Sequence, residues 1–158
     1  AFAYHKVYGI PTVTVRYFNA YGPRQDSSEY ANAVSIFLSL TKEGKPVTIF
    51  GNGEQTRDFI FIDDIIRANI LAATRPAAAG EIFNISSGEV HDIKQLIDLI
   101  AKVSGKEVLF SHANFRAGEV RHSKANIDKA RKLLGFGPQT DLEEGLRQTW
   151  MALTETRV

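Results

Sequence analysis

The sequence has no cysteine, which excludes disulfides and thiolate metal sites. It has no apolar run approaching the ~20 residues a membrane span needs. Its opening residues do not read as a signal peptide, so the cytoplasm is the expected compartment. It also lacks an excess of charge of either sign: 19 Lys and Arg against 18 Asp and Glu leave a formal net charge of +1. Such a balance gives no general pull toward nucleic acid or an anionic membrane, and neither is an expected partner. Any anion site must be local. The four histidines, His5, His91, His112 and His122, show no metal-ligand spacing, so no metal is expected.

Two nucleotide signatures are missing as well. Gly51-Asn52-Gly53 lacks a third glycine and leads into a strand pattern, so it offers no helix N-terminus to a pyrophosphate and reads as a hairpin-type turn. There is no Walker-type loop. A Tyr-x-x-x-Lys pair would set an ammonium near a phenol and lower its pKa, but none of the five tyrosines has a lysine four residues on. The chain supplies no obvious acid/base catalyst, and no catalytic residue is assigned.

What is present is ordinary for a globular protein. The 158 residues are 44% hydrophobic and 23% charged, enough for one domain with a real core. Ala1 to Gly9 reads as the tail of a helix closed by glycine, too short to be stable alone. Thr12 to Phe18, β-branched and aromatic, reads as a strand. Apolar residues at Ala33, Ile36, Phe37 and Leu40 mark a helix over about Asn32 to Lys42, stopped by Gly44 and Pro46. Val47 to Phe50 and Phe59 to Ile62 read as strands, with Asp63 or Asp64 capping the helix that follows. Glu81 to Ile85 is a further strand. Asp92 caps a long amphipathic helix closed by Gly105, Val108 to Phe110 is a strand, and Ser111 to Lys124 a polar loop. A short helix near Asp128 to Leu134 precedes a last one, opened by Asp141 and Glu144 in a capping-box-like pair, with Leu142, Leu146, Thr149, Trp150 and Leu153 facing inward. Strands alternating with helices predict an α/β fold in one unit, residues 1–158.

Three residues suit an anion. Arg57 stands with Asp58 at the mouth of an apolar strand; it either pairs with Asp58 or another neighbour, or awaits an anion the chain does not carry. Asn19 ends a strand, where open α/β sheets bind ligands, and its amide can donate to a phosphate or accept from a hydroxyl; an Asn there also serves as a plain turn residue. Arg116 lies in the polar loop, where a solvated surface role is the ordinary alternative.

Four stretches in order carry a resemblance: VTVRYFNAYGPRQ, GKPVTIFGNGEQTRDFIFIDDIIRA, GEIFNISSGEVHDIKQLI and NIDKARKLLGFGPQTDLEEGLRQTW. Together they resemble the second half of the extended short-chain dehydrogenase/reductases that act on nucleotide sugars, NAD-dependent epimerases and dehydratases of the UDP-glucose 4-epimerase kind. The resemblance implies a partial Rossmann-type parallel sheet, with residues 1–30 as its remnant, plus a small mixed α/β substrate-binding domain. It implies that Asn19, Arg57 and Arg116 hold the diphosphate of a UDP- or dTDP-sugar. Phe59 would line the adjoining wall and Glu119 would lie near the nucleoside. Ala33 and Val34 would open the helix along the pocket, Thr48 and Phe50 would flank the base, and Tyr17 and Phe18 would pass the nicotinamide. In such enzymes NAD takes hydride from the sugar C4 while a tyrosine removes the hydroxyl proton, and the ketone is then re-reduced or passed on.

The glycine-rich loop and the Tyr-x-x-x-Lys pair of that family are absent here. Ala1 to Gly9 resembles the tail of the helix that carries the pair. The expectation is therefore a substrate-binding half, inactive alone and binding no NAD alone, that self-associates or pairs with an amino-terminal half. A stand-alone binding or assembly module without catalysis is the alternative.

Overall fold

In the computed structural model, which describes residues 1–25 and 32–155, hydrophobic patterning divides the chain between two cores. The expected remnant 1–30 runs in its last five residues outside the described ones. Helix α1, Phe2–Tyr8, ends at Gly9, whose φ of 68° suits a residue without a Cβ. Strand β1, Thr14–Tyr17, is followed by β2, Ala20–Tyr21, and helix α2, Ala33–Glu43. Asn32 caps α2, its side chain accepting from the Val34 and Ser35 amides. Strands β3 (Val47–Phe50), β4 (Thr56–Arg57) and β5 (Ile60–Phe61) lead into helix α3, Ile62–Thr74. Then come β6 (Ile82–Ile85), β7 (His91–Asp92), α4 (Ile93–Ser104), β8 (Phe110–Ala113), α5 (Asp128–Leu134) and α6 (Leu142–Thr154).

Pairing is mainly parallel and between segments distant in sequence. β1 runs parallel to β6, β2 to β5 and β3 to β8, while β4 meets β7 antiparallel. One core gathers α2, β3, α4 and α6 around Val34, Leu38, Leu96, Ile100 and Leu146. The other gathers α3, β6 and α5 around Ala68, Phe83, Ile85, Ala130 and Leu134. Phe59-Ile60-Phe61 joins them. Successive side chains in extended backbone point opposite ways, so Phe59 and Phe61 enter the first core and Ile60 the second.

Several expectations need correction. The Gly51-Asn52-Gly53 turn closes no hairpin: the strand before it pairs with β8 and the strand after it with β7. The Phe59–Ile62 strand is only two residues long, because Ile62 already begins α3. Neither Asp63 nor Asp64 caps α3. Its N-cap is Phe61, and both aspartates fall in the first turn. Asp64 is buried and accepts from the Gln139 and Thr140 amides and from Arg67 at 2.7 Å. That fastens the helix start to the loop before α6, a bond between distant segments that local spacing cannot show. The strand expected over Val108–Phe110 is shifted into the polar loop, because its partner β3 sets the register. Asp141 caps α6, but the Glu144 side chain turns to Arg147 and Gln148 instead of closing the box. The Asp92 cap, by contrast, is a full capping box with Gln95.

Candidate functional site

Between α2, the end of β3, β4 and the loop after β8 lies a cavity of about 430 Å³. Its floor is the apolar stripe Ala33, Ile36, Phe37 and Leu40 of α2, together with Ile49, Phe59 and Ile93. Its polar wall is Asn19, Asn32, Gln55, Arg57, Arg116 and Glu119, with Thr48 and Phe50 completing it. A mostly apolar hollow with a few convergent polar groups has the form of a small-molecule site.

Arg57 is placed by β4, whose antiparallel partner residue is His91. Its Nη2 donates to Glu119 Oε1 at 3.0 Å, and its Nη1 to the Thr56 and Arg121 carbonyls at 2.9 and 3.3 Å. The sequence left the partner open between Asp58 and another neighbour; it is Glu119. With side chains only 17% and 25% exposed, the pair is partly shielded from water, so the charges act more strongly than at an open surface.

Asp58, one residue on, points the other way and is fully buried. Its carboxylate accepts from Ser86 Oγ at 2.6 Å, Ser87 Oγ at 2.7 Å and the amides of Ser87, Gly88 and Ala125. Its carbonyl accepts from Asn19 Nδ2 at 2.9 Å. Asn19 holds a φ of 22°, a conformation asparagine tolerates better than most residues. The result is a knot joining the end of β1, the segment between β4 and β5, and the Ser86–Gly88 turn.

The loop after β8 is seated by packing. The Arg116 guanidinium lies 3.7 Å from the Phe50 ring centroid, and Arg121 lies 4.6 Å from that of Phe115. The Phe115 ring fills the space beside Gly51, where a Cβ would fall 2.0 Å from a ring carbon. The glycine turn thus serves to admit an aromatic ring.

Not every expected residue reaches the cavity. Asn19, Ala33, Thr48, Phe50, Arg57, Phe59, Arg116 and Glu119 line it. Val34 does not: it is fully buried in the first core, one residue round the helix from the Ala33 stripe. Tyr17 and Phe18, expected beside a nicotinamide and not on this wall, lie apart from it. The exposed Tyr17 hydroxyl donates to Asn69 at 2.8 Å, and Phe18 packs on the second core. Sequence reasoning missed Asn32, Ile36, Phe37, Leu40, Ile49, Gln55 and Ile93 as lining residues. The signal for Ile36, Phe37 and Leu40 was the helical stripe itself, read as core-facing.

Two buried acceptors on this wall, Gln55 Oε1 and Glu119 Oε2, have no hydrogen-bond partner among the described residues. The wall therefore offers two guanidinium groups and two uncommitted acceptor oxygens. It can hold a ligand that carries both an anion and donor groups. Among the described residues it brings together no nucleophile with a base, and no group of histidine and carboxylate side chains that could hold a metal ion.

Comparison with known proteins gives this geometry a setting. The family model described as GDP-mannose 4,6 dehydratase matches residues 1–149. A UDP-glucuronate 4-epimerase of Thermodesulfobacterium geofontis is 39% identical over 152 residues, covering 94% of this chain and 45% of that protein. The crystal structure of a Thermotoga maritima UDP-glucose 4-epimerase with UDP-glucose superposes with a TM-score of 0.90 at 37% identity, covering 96% of this chain and 48% of that one. A Bacillus cereus UDP-glucuronic acid 4-epimerase in complex with UDP-glucuronic acid and NAD gives a TM-score of 0.87 at 38% identity, with the same 96% and 48% coverage. The chain thus spans about half the length of the relatives it matches.

Proposed function

The chain belongs to the GDP-mannose 4,6-dehydratase family, and from that premise we propose that it is the nucleotide-sugar-binding portion of an NAD-dependent epimerase or dehydratase. The observation that supports this most is the pairing of Arg57 and Arg116 on one wall of the 430 Å³ cavity, above the apolar α2 stripe. Two guanidinium groups suit a diphosphate, which each can grip with paired donors. The Arg116 guanidinium, stacked 3.7 Å over the Phe50 ring, offers a flat face to a base.

Asn19, Ala33, Thr48, Phe50, Arg57, Phe59, Arg116 and Glu119 are the residues proposed to touch a UDP- or dTDP-sugar. In this reading the diphosphate replaces the Glu119 carboxylate as the partner of Arg57. The arginine is then already held in place, so little side-chain entropy is lost on binding.

NAD is named with the Bacillus cereus relative, and Tyr17 and Phe18 are the residues here proposed to pass its nicotinamide. Among the described residues, α3 and α4 start directly after β5 and β7, with no glycine-rich turn between strand and helix. These two strand-to-helix junctions therefore form no pyrophosphate cradle, and this chain is not proposed to hold NAD by itself. Pairing with a nucleotide-binding half, or self-association, is proposed on the strength of exposed apolar side chains at Tyr4, Val7, Tyr8, Tyr17, Ile66 and Ile70.

Titration calorimetry of this chain with UDP and UDP-hexoses tests the reading. A charge-assisted hydrogen bond contributes about 1.5–3 kcal/mol, so Arg57→Ala or Arg116→Ala should weaken binding by about tenfold or more. Binding unchanged by both substitutions would assign the arginines to structure alone. Turnover of UDP-glucose by this chain with added NAD would overturn its assignment as a binding portion.

A further inference from the structure

Polar wall residues divide into those whose hydrogen bonds are complete and those whose bonds are not. Gln55 stands out in the second group. It lies between the Gly51–Gly53 turn and β4, is only 7% exposed, and lines the cavity. Its Nε2 donates to the Phe50 carbonyl at 2.9 Å, which fixes the sense of the amide: the nitrogen must face that carbonyl, so the oxygen is the free end. That oxygen, Oε1, is buried with no partner among the described residues. Leaving a buried acceptor unpaired is costly, and proteins retain such groups where a ligand completes them.

Of the three buried side-chain atoms left unpartnered among the described residues, Gln55 Oε1 and Glu119 Oε2 sit on this one wall. Both are acceptors. The diphosphate supplies acceptors only, so the donor that satisfies Gln55 must come from another part of the ligand. Gln55 is bonded to the backbone of Phe50, whose ring already receives a flat guanidinium at 3.7 Å. A guanidinium stacked on a ring presents its other face to a base while its edge donates to phosphates. The part of the ligand that lies nearest Gln55 is then the nucleoside.

Resting on the reading above, we infer that Gln55 is a specificity residue for the nucleoside: its Oε1 accepts a hydrogen bond from a neutral donor of uridine, either the imide N–H of the base or a ribose hydroxyl. The oxygen is closed off from solvent in the free protein, so the bond forms as the ligand displaces the side chains covering it. A neutral amide suits the position, because a carboxylate there would repel the diphosphate beside it. A site built around one such bond rejects analogues that lack the donor.

The test is a calorimetric series on this chain with UDP, N3-methyl-UDP, 2′-deoxy-UDP and 3′-deoxy-UDP, for wild type, Gln55→Met and Gln55→Leu. One analogue should bind wild type roughly tenfold more weakly than UDP, and its missing donor identifies the source. In Gln55→Met that gap should close. Gln55→Leu, which likewise removes the acceptor, should close the gap as well; this variant carries the test if the methionine variant does not fold. A purely structural Gln55 would weaken every ligand by the same factor and leave the gap unchanged, which overturns the inference. Wild-type binding with no gap among the analogues overturns it too, while leaving nucleotide-sugar binding intact. No binding of UDP by wild type would overturn both.

Discussion

Arg57 and Asp58 are adjacent in sequence and end in regions of opposite character. Asp58 goes to a knot where a buried carboxylate meets two hydroxyls and three amides, each within hydrogen-bond reach. Arg57 goes to the cavity wall, where two buried oxygens lack partners and the ion pair is partly open to water. Buried polar groups are expensive unless paired. A complete set is therefore a sign of architecture, and an incomplete set on a cavity wall is a sign that a ligand finishes it. The two regions also depend on each other, since Asn19, which lines the cavity, donates to the Asp58 carbonyl.

The comparison breaks most visibly at Asp58. Asp58→Ala should lower stability by at least about 3 kcal/mol, because several buried donors lose their acceptor at about 1–3 kcal/mol each. For a chain of this length that is a fall in Tm of roughly 6–12 °C, measured by thermal and urea unfolding. A loss below about 1 kcal/mol would mean that water or another acceptor replaces the carboxylate, and the knot is not what holds the segments. Arg57→Ala, one residue away, should by contrast act on ligand binding far more than on stability.

Gly51→Ala comes next. A methyl there meets the Phe115 ring at 2.0 Å, and the backbone sits at a φ of 74°. The conformational strain alone costs on the order of 1–2 kcal/mol, and the ring must also move. Since Phe115 precedes Arg116, UDP binding should weaken along with stability. Stability lost with binding preserved would show that the loop after β8 can carry Arg116 without this seat.

Much of this was legible in the sequence where the determinants are local. The Asp92 and Asp141 caps, the glycine stops at Gly9, Gly44 and Gly105, and the α2 stripe all follow from spacing over a few residues. The partner of Arg57 did not, because Glu119 is 62 residues away and nothing in either local sequence specifies the other. The same holds for Asp64 and its loop at Gln139, where the capping pattern pointed to a local bond and a distant one prevailed. Val34 shows a different limit. A helix pattern tells which residues turn from water, but not whether they face a core or a cavity, and on α2 neighbouring residues divide between the two.

Glu119→Gln sharpens the contrast without disturbing the fold. The amide oxygen can still accept from Arg57, so the change removes a charge but keeps the hydrogen bond, a loss of about 1 kcal/mol. It also frees Arg57 from its internal anion. Inorganic pyrophosphate, which carries no nucleoside, should then bind more tightly than to wild type by calorimetry. Weaker binding would mean that Glu119 serves to orient Arg57 rather than to compete for it.

The smallest effect at neutral pH is expected at Tyr21, a buried phenol in the first core that packs on Phe59 and Phe61 with ring centroids 6.4 and 5.6 Å away. Its hydroxyl reaches the Leu142 and Asp141 carbonyls only at 3.4 and 3.5 Å. These are long for O–H···O bonds, so Tyr21→Phe should cost under about 1 kcal/mol at pH 7. The phenol matters at high pH. Burial pushes its pKa well above the ordinary value, and the Asp141 and Asp64 carboxylates push it further in the same direction. A raised folded-state pKa means that the unfolded chain loses this proton first, near pH ~10. The contribution to stability is thus fully present below that value and is lost as the pH climbs from there toward the folded-state pKa, with a slope of up to about 1.4 kcal/mol per pH unit. Urea unfolding between pH 8 and pH 11 should show wild type losing stability above about pH 10 more steeply than Tyr21→Phe. Equal slopes would mean that water reaches the phenol, and that this end of the first core is open.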